Sequence, residues 1–281
     1  MQRISRRQFL YGSAMGFAVA ATELRANPLG MPIGCQTWPL RESIGKDFEG
    51  TLRQIAAGGF QMIEMCSPPS YAKAGFGPLA ELKPSEIRRR IRDAGLGCES
   101  CHFQFRELKE NLDDRIAFAQ ELGLKQMVLS TFGLRPDATL ADWRQAAGEL
   151  NKVGEQTQKA GIQLGFHNHN HEFEEKGGVL IYDELMKVLD PKLVKMQFQV
   201  AVISLGYEAA TYLTKYPGRF LSLHLVDWST TEKKEVPIGA GSIDWRKLFA
   251  AAKTGGIKNY FVEMDWDLMQ ASVPYLRKLQ V

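Results

Sequence analysis

Long apolar runs are scarce in this 281-residue chain. The one nearest the N-terminus, Tyr11 to Ala21, is shorter than the roughly 20 residues that span a bilayer and is rich in Gly and Ala. That length excludes a stable membrane anchor. Surplus positive charge is lacking too. The formal charge is +3, and Arg3, Arg6, Arg7 and Arg25 all fall in the first 25 residues, so the remainder is close to neutral. It carries no basic stripe of the kind nucleic-acid binders use, which excludes nucleic acid as the expected partner. No glycine-rich phosphate turn follows the first strand candidate, Ile33 to Trp38, and this argues against an open, doubly wound nucleotide-binding sheet. Cysteine is sparse, with Cys35, Cys66, Cys98 and Cys101 only. Within a strand, residues three apart point to opposite faces, so Cys98 and Cys101 read as small buried thiols unless the strand ends between them.

The first residues hold an address. Ser5-Arg6-Arg7-Gln8-Phe9-Leu10 precedes the weak apolar run, and Ala26 stands before Asn27-Pro28. This pattern predicts a twin-arginine export signal over residues 1–26, a mature chain over 27–281, and a periplasmic or otherwise exported location. Twin-arginine export carries folded proteins, which suits a protein that takes up a metal before crossing. An oxidising compartment would also permit a disulfide.

After the signal, short apolar runs alternate with amphipathic stretches of helical period, the pattern of βα units around a parallel sheet. Strands are expected at 33–38, 62–66, 97–103, 127–131, 163–169, 194–200, 220–226 and 260–264, with helices at 48–57, 85–94, 113–122, 140–160, 181–189, 207–216 and 245–254. Gly59, Gly95, Gly123 and Gly161 each follow a helix where a left-handed C-cap would sit. Eight such units predict a single-domain (β/α)8 barrel, class α/β.

In such barrels the site lies at the C-terminal strand ends. All five histidines fall there: His102, His167, His169, His171 and His224. Glu64 and Glu263 end strands two and eight, and Gln199 ends strand six. Packing alone would scatter histidines through strand and helix interiors, so the cluster reads as a site. Imidazole and carboxylate donors from several strands suit a divalent Mn, Co, Fe, Ni or Zn ion. His167 and His169 would share a face by strand alternation. Asn168, Asn170 and His171 would support turns and ligands, and Trp38, Phe103, Phe132 and Trp228 could stack on a sugar ring.

Several segments together resemble the xylose-isomerase-like barrels of the sugar phosphate isomerase/epimerase family. They are Gly34-Cys35-Gln36-Thr37-Trp38-Pro39-Leu40-Arg41, His167-Asn168-His169 to Glu172-Phe173, His224-Leu225-Val226-Asp227, Pro237 to Trp245, and Val262-Glu263-Met264-Asp265. The resemblance implies a metal held from strands five to eight, here by His167, Gln199, His224 and Glu263. Gln199 stands where the family usually has Asp, His167 takes the strand-five position, and Val226 replaces a frequent Lys. It also implies proton abstraction next to a carbonyl, with Glu64, His102, His169, Glu172 and Glu263 as candidates for acid/base work or hydroxyl binding. The implied function is isomerisation or epimerisation of a free or oxidised (keto) sugar or glycoside. Elimination from a 3-keto glycoside and a barrel that binds carbohydrate without converting it are the alternatives. The expected partner is a small sugar, and an oligomer is compatible with all of these readings.

Overall fold

Each apolar run that alternates with a helical stretch forms a strand, usually a little shorter than expected. A computed structural model describes residues 27–281, and the proposed export signal lies outside them. The strands are β1 Gly34–Gln36, β2 Met62–Cys66, β3 Gly97–Phe103, β4 Gln126–Leu129, β5 Gln163–His167, β6 Val194–Gln199, β7 Phe220–Leu225 and β8 Asn259–Val262. All neighbours pair in parallel, and β8 returns to β1 to close the barrel. The expected eight-stranded α/β barrel is the fold.

One long helix follows each strand. They are α1 Phe48–Ala57, α2 Pro84–Asp93, α3 Leu112–Leu122, α4 Leu140–Lys159, α5 Ile181–Val188, α6 Ala209–Lys215, α7 Trp245–Gly255 and α8 Trp266–Lys278. The last was not among the expected helices. Pro274 lies inside it, and proline normally signals a break, yet burial of Met269, Val273 and Leu276 holds the helix against the barrel. Side chains buried this completely contribute roughly 1.5–3 kcal/mol each. Capping starts α4 firmly: Thr139 Oγ1 accepts from the Asp142 amide while the Asp142 carboxylate accepts from Thr139 N at 2.7 Å. Gly123 ends α3 in the left-handed region at φ 89°, as its place in the sequence predicts.

Two local departures position the site. The β2–β3 register shifts, with Ile63 opposite Cys98 but Glu64 opposite Ser100. The extra residue, Glu99, is a bulge after which Ser100 and His102 reach into the barrel. Strand β5 stops at His167 rather than His169, because the chain turns into a short 3₁₀ segment, Asn170–Phe173. His169 therefore is not placed by strand alternation. The four cysteines are free thiols. No helix among the described residues is long and apolar enough to cross a membrane.

Candidate active site

The barrel interior is polar, and Glu64 is its hub. Its side chain is fully buried, and it accepts from Gln36 Nε2 (2.6 Å), Ser100 Oγ (2.5 Å), Gln197 Nε2 (2.8 Å) and His224 Nε2 (2.5 Å). Burial alone would raise its pKa, but the adjoining His102 and His224 imidazoles outweigh that and hold the carboxyl well below its usual range. A buried carboxylate persists only when donors surround it in this way.

His224 on β7 joins the hub to the mouth of the barrel. Its other nitrogen, Nδ1, lies 2.8 Å from Glu263 Oε2, just beyond β8. Burial works against the charged ring, but Glu263 and Glu64 together raise its pKa to about 10. In the metal-free protein His224 is thus an imidazolium strapped between two carboxylates. Glu263 is lowered in turn: burial pushes it up, and the charge and hydrogen bond of His224 push it further down. Gln199 Nε2 also donates to Glu263 Oε2 at 2.7 Å.

His102 on β3 stacks on His224 with ring centres 5.1 Å apart and planes 13° apart. Its Nε2 meets Gln197 Oε1 at 2.7 Å. The Gln197 amide nitrogen donates to Glu64 and to Ser222 Oγ, so its oxygen must accept. His102 therefore carries a proton on Nε2, and in its neutral form Nδ1 is the acceptor. His167 packs 4.4 Å from His224 and 5.0 Å from His102. Burial, then the neighbouring imidazoles, lowers its pKa far below the usual value. It is neutral, and its buried Nδ1 has no hydrogen-bond partner.

These groups open on a cavity of about 250 Å³ at the C-terminal end of the barrel, with Trp38, Tyr71, His102, His167, His169 and Glu263 among its walls. Of the candidates from the sequence, His102, His167, His169 and Glu263 line it directly. Glu64 and His224 lie behind them, joined through hydrogen bonds, and Gln199 supports Glu263 from the side. Glu172 is set apart: it is fully buried, accepts from His169 N at 2.7 Å and sits 2.8 Å from His171 Nε2. It holds the turn that presents His169 and does not line the cavity. Asn168 acts as expected, its Oδ1 accepting from Gln199 N at 3.1 Å. Among the four aromatic candidates only Trp38, 37% exposed, walls the cavity, while Phe103 and Phe132 are core.

Gln36, Ser100, Gln197 and Ser222 were not singled out as functional residues. Gln197 is two residues before Gln199 on β6, so the period of two puts both on the inner face, a signal that could have found it. Asp227 explains two quoted segments together: its carboxylate accepts from Gly239 N, Gly241 N and Trp245 Nε1 at 2.8 to 3.1 Å. A Cβ on Gly241 would meet Asp227 Oδ1 at 2.1 Å, so only glycine allows this approach.

The donor set fits a divalent metal. Ring nitrogens of His102, His167 and His224 come within 4.8 Å of one another, the His167 Nδ1 lone pair is unclaimed, and the Glu263 carboxylate adjoins His224 Nδ1. A cation there would replace the proton that otherwise bridges His224 and Glu263. Glu64 would then fix the outer face of the His224 ring, as carboxylates do for metal-bound histidines.

Known proteins share this architecture. An inosose dehydratase of Clostridium perfringens is 23% identical over 254 residues, covering 80% of this chain and 85% of its own. One from Lacticaseibacillus casei is 24% identical over 163 residues, covering 51% of this chain. The chain thus spans about half the length of that relative, 54% of it. A sugar phosphate isomerase/epimerase of Parabacteroides distasonis superposes with TM-score 0.75 at 24% identity, over 88% of this chain and 94% of its own. Two further barrels, one from Mycobacterium smegmatis with magnesium (TM-score 0.63, 16% identity, 90% and 97% covered) and one with zinc (0.61, 13%, 88% and 95%), share the fold. The family model described as the xylose isomerase-like TIM barrel matches residues 52–279, most of the chain, and the protein belongs to that family.

Proposed function

We propose that this protein is a metal-dependent enzyme that moves a proton next to the carbonyl of a free or oxidised sugar, as an isomerase or epimerase. The observation that carries the reading is that His167, neutral and with an unpartnered Nδ1, lines one cavity together with the Glu263 carboxylate, while His224 is strapped to Glu263 directly behind it. His167, His224 and Glu263, with Gln199 beside them, would hold the ion. Two imidazoles, one carboxylate and a neutral amide favour the later transition metals over Mg. When bound, the metal would polarise the carbonyl oxygen and stabilise the charge that develops there.

The remaining residues supply proton handling and orientation. Gln197 holds Nε2 of His102, so the neutral ring offers Nδ1 as the acceptor, and we assign it the role of taking the proton. His169, exposed at the mouth, is a second imidazole on the same cavity. Trp38 offers an apolar face at the mouth for the sugar ring. Elimination begins with the same proton removal, and the dehydratases among the relatives favour it as the second reading. Both are tested by following solvent deuterium into keto sugars by NMR. His102→Gln should slow the exchange by about 10²–10⁴-fold. Exchange at the wild-type rate in that variant would remove His102 from the mechanism.

A further inference from the structure

We propose that the substrate has two parts, a sugar in the central cavity joined to a carboxylate-bearing ring held in a second cavity directly outside it. This rests on the reading of the central cavity as the sugar site. The central space alone, about 250 Å³, falls below the roughly 300 Å³ at which small-molecule sites begin. A second cavity of about 350 Å³ adjoins it, formed by the loop after β4, the first turn of α4 and the loop after β5. Thr131 walls both spaces. His169 of the first stacks on His171 of the second, with ring centres 5.5 Å apart and planes 9° apart. A ligand longer than one ring would reach from one to the other across Thr131.

The chemistry of the outer walls points to an acidic guest. Arg135 and Lys176 line it against one acid, Glu174. Lys176 Nζ rests on a backbone carbonyl, Pro136 O, at 3.2 Å rather than on a carboxylate. Arg135 is 84% exposed and meets only Asp137, loosely, at 3.4 Å, so its guanidinium is easily exchanged to a ligand. Two cations beside Leu134 and Ile181 suit a ring that is apolar on one face and carries a carboxylate, as a uronic acid does.

Calorimetry with the purified protein tests this on three probes: methyl glucoside, a neutral disaccharide, and the matching disaccharide ending in glucuronate. The acidic disaccharide should bind about tenfold or more tighter than the neutral one, with the preference weakening as salt rises. Arg135→Gln with Lys176→Gln, both surface changes, should abolish the preference and leave methyl glucoside binding as it was. Equal affinity for the two disaccharides, including none for either, overturns the inference, as does a preference that survives the double substitution. Failure of the central reading shows separately, as no methyl glucoside binding and no deuterium exchange into keto sugars by the wild-type protein.

Discussion

At the scale of the residue, the strap of His224 between Glu64 and Glu263 makes the stability of the metal-free protein depend on pH. The folded ring titrates near 10 against an ordinary 6.5, so its contribution is complete below about pH 6.5 and is lost progressively as pH rises through 10. Glu64 and Glu263 are lowered by the same contacts, so the strap is lost a second time as pH falls below the usual carboxylate range. Both limbs are one interaction and count once. The urea midpoint of chelator-treated protein should therefore peak near pH 5–6.5 and fall towards pH 10, and Glu64→Gln should shrink that fall. A midpoint flat from pH 6 to 10 would contradict the strap. Most of these residues were legible in sequence because histidine is rare in this chain and gathers at strand ends. The place of Glu172, in a turn behind His169, was not legible because β5 stops at His167 and sequence alternation cannot show where a strand stops.

At the scale of the element, the Asp227 carboxylate ties β7 to the loop over 237–241 and to the indole at the start of α7. Asp227→Ala leaves four donors, these three and Trp228 N, without their acceptor, at a cost of about 1–3 kcal/mol for each that stays buried. Thermal unfolding should show that loss, and amide exchange at Gly239 and Gly241 should accelerate locally. Unchanged protection at those two amides would mean the loop is held by something else. Strand and helix positions were readable from period and glycine punctuation, with errors at the ends. The Glu99 bulge was not readable, since it arises from the match of β3 to β2 and no residue in β3 announces it. Helix α8 was hidden by Pro274, whose local signal is overridden by packing.

At the scale of the whole molecule, eight parallel strands bring donors from β3, β5, β6, β7 and the end of β8 to one face, though they are distant in sequence. The family supplies this frame. We further propose that the twin-arginine pair exports the folded chain. Replacing Arg6 and Arg7 with Lys should leave the protein in the cytoplasmic fraction on cell fractionation, and unchanged export would remove that assignment. Export of a folded chain accords with loading of a metal beforehand.

The central claim is that this barrel holds a catalytic metal through His167, His224 and Glu263, and elemental analysis of the untagged protein beside its His224→Ala variant tests it most directly. The account predicts about one transition-metal ion per wild-type chain and loss of that ion in the variant. Metal-free wild-type protein after reconstitution, or equal metal in both, would contradict it and favour a barrel that binds carbohydrate without converting it.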